Sequence, residues 1–228
     1  MIMPGAQIPF DLGSRIALGR EDFLVGPANA AAVGWIDRWP DWPAPALILN
    51  GPAACGKKHL AAVWRERSGA VLVSCADLAT QQAEYIAAQG THIVLAGLDP
   101  WLGDANAERT LFHLYNMFKE QSRTMLITLR MPLFQADFAI ADLKSRLRAA
   151  PVVVIAPPDD ELLASILIKL FHDRQLVVSE DVIRYVLPRM ERSFSAARDI
   201  VETADRIALA AKKPVTVALM RQVLAGLQ

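Results

Sequence analysis

The stretch Ala46-Leu47-Ile48-Leu49-Asn50-Gly51-Pro52-Ala53-Ala54-Cys55-Gly56-Lys57-Lys58-His59-Leu60 decides the fold. Its first five residues form a short, almost continuously apolar run, as expected for a strand covered on both faces. Gly51 to Lys57 then follows G-x-x-x-x-G-K, and His59 to Trp64 opens a helix. In a strand–loop–helix turn of this kind the glycines, Gly51 and Gly56, let successive backbone N–H groups converge on phosphate oxygens. The lysine, Lys57, neutralises the β/γ charge. A plain glycine-containing turn is the competing reading; the strand before and the helix after favour a phosphate loop. The next position, where a Ser or Thr hydroxyl would coordinate Mg²⁺, is Lys58, and an ammonium repels a cation.

Working outward, four more runs of the same kind follow: Ala70–Ser74, His92–Ala96, Thr124–Thr128 and Pro151–Ile155. Helical patterns separate them, for example Leu111, Leu114, Tyr115 and Phe118 at steps of three and four. Strands alternating with helices in this way predict an α/β fold of three layers, a five-stranded parallel sheet with right-handed crossovers. After Pro157-Pro158 the strand signal stops. Asp159-Asp160-Glu161 supply acids to a helix start, and Leu162, Leu163, Ile166, Leu167, Leu170 and Phe171 line one face. Ser179 is expected to cap a second helix ending near Pro188; a third runs from about Ser195, and Thr216 caps a last one ending near Leu227. The expected divisions are an extended tail over 1–20, an α/β unit over 21–157 and an all-α unit over 158–228.

Composition narrows the function classes. The 228 residues carry 24 Lys and Arg against 24 Asp and Glu, and a neutral chain is poorly suited to gripping nucleic acid through bulk charge. Apolar residues at 53% and charged residues at 21% argue against extended disorder. Cys55 and Cys75 are too few for a disulfide framework and fit a reducing compartment. The opening MIMPGAQIPFDLG lacks a basic n-region and is broken by Pro4 and Pro9, against a signal peptide, and no apolar run approaches a membrane span. The expectation is a soluble cytoplasmic protein.

A working Mg²⁺ site also needs a carboxylate at the C-terminal end of the strand His92–Ala96. That end reads Ala96-Gly97-Leu98-Asp99, so the acid arrives two residues late. The expected site therefore binds ADP or ATP weakly or without Mg²⁺, or binds nothing, holds no metal, and does not turn ATP over. His59 and His113 have no metal-ligand partners at suitable spacing and read as structural, and Trp35, Trp39 and Trp42 read as a packing cluster.

These residues resemble the DnaA-like AAA+ family: the nucleotide-binding module of bacterial replication initiators and, closer still, its short Hda branch. Phe23-Leu24-Val25-Gly26-Pro27-Ala28-Asn29 is similar to the segment bordering the adenine pocket, which puts Val25 beside the base. Trp39-Pro40-Asp41-Trp42-Pro43 is similar to Hda-type sequences. Leu126-Ile127-Thr128-Leu129-Arg130-Met131-Pro132 resembles the sensor 1 region, with Thr128 at the polar position. Asp142-Leu143-Lys144-Ser145-Arg146-Leu147 resembles the box that carries the arginine finger, at Arg146, and Ala196-Ala197-Arg198-Asp199 falls where the sensor 2 arginine belongs, at Arg198. Taken residue by residue, Arg146 also fits a solvated basic cluster, Arg198 a surface ion pair and Thr128 a strand end. The resemblance implies an AAA+ module whose C-terminal helices form a lid, and the family pattern departs at Lys58, Ala96 and Gly97.

The tail segment Gln7-Ile8-Pro9-Phe10-Asp11-Leu12 resembles the short peptide by which replication proteins bind the β sliding clamp. In extended-peptide capture a glutamine amide orients the segment while Ile8, Phe10 and Leu12 fill a groove, and Pro9 lowers the ordering entropy. An ordinary tail packed on its own domain is the alternative. The resemblance thus implies a regulator of replication initiation that tethers to the clamp of DNA polymerase III, meets DnaA, and promotes ATP hydrolysis there by inserting Arg146 in trans. It leaves room for a homodimer, and it brings no sequence-specific DNA contact, since the chain ends with the lid helices. An inert adaptor of the clamp-loader kind and an active helicase-loader ATPase are the rival readings.

Overall fold

The computed structural model describes residues 24–227, so the clamp-like segment Gln7, Ile8, Pro9, Phe10 and Leu12 lies outside the described residues. In chain order the elements are α1 (Ala30–Asp37), β1 (Ala46–Asn50), α2 (Lys57–Ser68), β2 (Val71–Val73), α3 (Asp77–Thr80), α4 (Ala83–Ala88), β3 (His92–Ala96), α5 (Ala105–Glu120), β4 (Thr124–Leu129), α6 (Ala141–Ala149), β5 (Val152–Val154), α7 (Asp160–Asp173), α8 (Glu180–Val186), α9 (Phe194–Ala211) and α10 (Val217–Leu227). The strands form one parallel sheet in the order β2-β3-β4-β1-β5.

Strand periodicity explains why every side chain of β1 is buried. Ala46 and Ile48 face the layer of α3 to α6, whereas Leu47 and Leu49 face α1 and α2. From β1 the chain crosses to the outer strand β2, returns through β3 and β4, and then passes β1 to reach β5. The connections leaving β1 and β4 therefore run in opposite directions, which opens a crevice beyond their C-terminal ends. The loop Gly51–Lys58 begins at that crevice.

The last four helices enclose a separate apolar cluster that includes Leu163, Leu167, Phe171, Val201, Ala204 and Met220. Asp159 caps α7 by accepting a hydrogen bond from Leu162 N at 2.8 Å, and the α9 cap is Ser193, which accepts from Ala196 N at 3.1 Å. Ser193 rather than Ser195 thus starts that helix: a cap needs extended backbone with its oxygen over the first turn, and Ser195 is already helical. Ser179 precedes α8 with no side-chain capping bond. Among the described residues no helix is long and apolar enough to cross a membrane.

Trp39, Trp42 and Trp64 pack together at the end of the sheet opposite the crevice. Trp42 stacks on the fully buried Trp64 at 5.3 Å between centroids, and Trp39 meets Trp64 edge-on at 6.2 Å. Trp39 Nε1 donates to Thr124 Oγ1 at 3.0 Å, and Thr124 Oγ1 lies 2.8 Å from His92 Nδ1. In the arrangement that uses each hydrogen once, the threonine hydroxyl donates to a neutral imidazole. Burial, reinforced by Arg123, holds the His92 pKa below the usual imidazole value. The unfolded chain then binds the proton first as pH falls, so this contribution is intact above the unfolded pKa of about 6.5 and is lost below it. Thermal unfolding followed by circular dichroism should show a midpoint that drops as pH falls from 7 toward 5. His92→Gln should have a shallower pH slope than wild type over that interval.

Candidate nucleotide site

The phosphate-type loop carries its own physical signature. Gly56, at φ 100°, opens α2, and Ala54, at φ 55°, also sits in the left-handed region. A Cβ on Gly51 would lie 2.3 Å from the Ile155 carbonyl oxygen, so only glycine fits where the loop leaves β1. Among the described residues, the backbone N–H groups of Ala53, Ala54, Cys55, Gly56, Lys57 and Lys58 have no hydrogen-bond acceptor. The first turn of α2 carries no acid and instead begins Lys57-Lys58, the wrong sign for a helix N-terminus unless an anion is present. A run of open donors under two lysines fits a phosphate group.

Lys57 is buried, and its Nζ donates to the Gly51 and Pro52 carbonyl oxygens, each at 2.5 Å, with Cys55 Sγ at 3.6 Å. Its ammonium is thus held inside the loop. Lys58 projects into solvent. Two further walls come from the segment before α1 and from the lid side. Asn29 accepts from Gly26 N at 2.9 Å and donates to Leu24 O at 3.0 Å, fixing the turn that carries Val25, which is 50% exposed. Gly26 packs against Leu162 of α7, and Leu24 joins the cluster of the last four helices. At the start of α9, Phe194 N donates to Ala54 O at 3.2 Å, and its ring lies against Gly56. Arg198 follows one turn later on α9, half-buried, with no ion-pair partner among the described residues.

Residues suited to metal work are engaged elsewhere. Ala96 and Gly97 close β3, and Gly97 takes φ 76°. Thr128, 4% exposed, accepts from Gly97 N at 2.9 Å through Oγ1, while its carbonyl accepts from Gly97 N and Leu98 N, both at 3.1 Å. Thr128 therefore welds the end of β4 to the end of β3. Asp99 Oδ1 accepts from Arg130 N at 2.7 Å and Met131 N at 2.8 Å, and Asn50 Nδ2 donates to Met131 O at 2.6 Å. The late carboxylate thus serves as the anchor of the loop after β4. Among the described residues no group of three or more His, Cys, Asp or Glu side chains could hold a metal. The open donors and lysines of this loop suit an anion. Cys75 donates toward Ala96 O at 3.6 Å, and its thiol pKa is pushed up to about 12 by burial and by the charges of Asp99 and Asp77. It is an unreactive thiol.

Arg146 lies inside α6, whose leucines pack in the layer across the sheet from α2. Its guanidinium is half-buried, 5.1 Å from the Phe112 ring centroid and 5.9 Å from that of Tyr115. Among the described residues it has no ion-pair partner. Burial raises the Tyr115 pKa, and Arg146 acts in the opposite direction, so the cation is electrically coupled to that ring. Sequence reasoning named Arg146, Lys57 and Thr128 but missed Phe194 at the loop and Glu108 beneath α6. Neither belongs to a motif; the acid four residues after the Asp104 cap was the only written hint of Glu108.

The comparisons bear on the same elements. The family model described as "Hda, lid domain" matches residues 159–224. Domain III of the replication initiation protein DnaA from Thermotoga maritima superposes with a TM-score of 0.77 at 16% identity, covering 92% of this chain and 96% of that one. AMPPCP-bound DnaA from Aquifex aeolicus gives 0.67 at 17% identity, covering 83% of this chain and 64% of that one. The RuvB Holliday junction branch migration motor of Thermotoga maritima gives 0.63 at 12% identity, covering 79% and 61%. The chain thus spans less than two thirds of the last two proteins.

The donor set leads to a measurable expectation. Binding of a fluorescent ADP analogue should weaken roughly tenfold or more in Lys57→Ala, which removes the buried charge. Chelating Mg²⁺ with EDTA should leave wild-type binding unchanged. EDTA-sensitive binding, or steady ATP turnover that disappears in Lys57→Ala, would overturn this account of the site.

Proposed function

We propose that the chain is an AAA+ protein of the Hda/DnaA-like kind with an Hda-type lid, a DnaA-related regulator of replication initiation whose Arg146 completes the ATP site of a DnaA-type partner. Its own nucleotide site holds ADP or ATP loosely, and its tail, through Gln7, Ile8, Pro9, Phe10 and Leu12, tethers it to the β sliding clamp. Phosphoryl transfer spreads negative charge over the equatorial oxygens of the moving group, and a fixed guanidinium in trans stabilises that charge. The reading rests on one observation above the others: Arg146 is a half-exposed cation on an aromatic shelf, with no acid neutralising it among the described residues.

A cation that forms no internal ion pair is free to answer a partner's anion without first breaking a bond. The arrangement asks no catalysis of the chain's own loop, so Lys58, Ala96 and Gly97 do not oppose it. Within the same reading Val25 borders the base, Gly51, Gly56 and Lys57 cradle the phosphates with Lys58 at the rim, and Thr128 and Arg198 flank the site.

The test is ATP hydrolysis by a cognate DnaA with and without this protein and DNA-loaded clamp. Arg146→Ala should keep the wild-type melting temperature and clamp affinity while the stimulated rate falls on the order of 10³-fold, as far as the assay can follow it. Retained stimulation would assign the activation to another residue. Separately, Gln7→Ala/Phe10→Ala should abolish binding to purified clamp; equal affinity would remove the tether. Failure of the wild type to stimulate, together with binding to clamp-loader subunits, would make the chain an inert adaptor.

A further inference from the structure

We propose that one face of α5, formed by Glu108, Phe112 and Tyr115, is the device that positions Arg146, with Glu108 setting the start of α6 and the two rings holding the guanidinium. This inference rests on the role given to Arg146 above and extends it to residues that touch no nucleotide.

Glu108 is a carboxylate with 1% exposure, and such a group is costly to bury without full hydrogen bonding. Its two oxygens serve two separate chain segments. Oε1 accepts from Gly103 N at 2.6 Å, just before α5, and Oε2 accepts from Ile140 N at 2.7 Å, 32 residues away. Ile140 is the residue that opens α6, and α6 has no side-chain cap of its own. Glu108 therefore takes the place of a cap, supplied from a neighbouring helix, and its negative charge sits where a helix N-terminus favours it.

The same stripe continues to the guanidinium. Residues 108, 112 and 115 are spaced by four and three, so they share one face of α5. Arg146 lies across Phe112 and Tyr115, within cation–π range of both. Between these two attachments, Leu143 and Leu147 of α6 are wholly buried in the cluster that includes Leu111 and Tyr115. A short helix is thus fixed at its start by a carboxylate, along its length by leucines and at its functional side chain by aromatic rings. A group that must meet a reacting phosphoryl tolerates little misplacement; an error of about 1 Å can cost ~10²-fold.

Glu108→Gln turns one acceptor into an NH₂ group facing a backbone N–H, while keeping size and shape. Two readings follow in the full-length protein. The first is the Arg146 Nε–H resonance in ¹⁵N NMR, shifted by the rings and identified by its loss in Arg146→Lys. The second is the plateau of stimulated DnaA ATPase against the concentration of this protein. Glu108→Gln should move the resonance toward the random-coil position and lower the plateau at least tenfold, with the half-maximal concentration unchanged. A merely destabilised protein would shift the half-maximal concentration and leave the plateau, which would overturn the proposal, as would an unmoved resonance. If Glu108→Gln does not fold, Phe112→Leu carries the test by the same two readings, since it removes a ring and no backbone partner. Should Arg146→Ala still stimulate DnaA, the finger role fails by itself, and the resonance alone decides whether the α5 face positions the side chain.

Discussion

Leu47, Ile48 and Leu49 have no solvent exposure, and strands flank β1 on either side, so sliding this strand by one residue would turn each side chain toward the wrong helical layer. That constraint fixes the end of β1 and hence the first residue of the phosphate-type loop. The close approach of Gly51 to the Ile155 carbonyl transmits the constraint to the chain leaving β5, and Asn50 transmits it to the loop after β4. The loop is therefore positioned by packing on three sides before any ligand arrives. Its open N–H groups are a consequence of where the sheet ends.

Much of the polar chemistry that a hydrolytic site would use here works as scaffolding. Thr128 joins two strand ends, Asp99 anchors Arg130 and Met131, and Asn29 shapes the turn before α1. Each bond satisfies a backbone group at the crowded C-terminal edge of the sheet, where an unmet N–H would be costly. With Gly97 at positive φ, the end of β3 turns under Thr128, and no carboxylate projects from Ala96 or Gly97 toward the loop. The end of β3 thus differs from an acid-bearing strand end in backbone conformation as well as side-chain identity.

The three-layer architecture was legible in the sequence because each strand reads as an apolar run, although only β1 and β4 are buried throughout and the edge strands β2 and β5 expose Leu72, Val152 and Val154. β1 and β3 match their expected limits, while β2 and β5 are shorter, since their ends reach the exposed edges of the sheet and lose pairing partners. The helices of the last 70 or so residues were readable from period and caps, with α9 starting at Ser193's side of the expected serine. The short α3 and α4 carry too few turns to show a period. The site was legible only where a side chain belongs to a motif: Lys57 could be named from spacing, whereas Phe194 meets Ala54 across 140 residues of chain and Glu108 meets Ile140 across 32. Such pairings depend on the sheet order and leave no local pattern.

The contrast between Lys57 and Arg146 illustrates why two cations in one chain can serve different ends. Lys57 is a compact ammonium held by two carbonyl oxygens of its own loop, so its charge stays at the loop where an anion would sit. Arg146 is a planar guanidinium laid against aromatic rings, which hold it through dispersion and quadrupole attraction without satisfying its N–H donors. An acid in that position would have fixed the side chain as well, but it would have neutralised the charge and occupied the fork. Aromatic support separates positioning from neutralisation. A carboxylate is still needed to hold α6, and it is placed at the helix start, on the backbone, where it leaves the guanidinium without an ion-pair partner among the described residues.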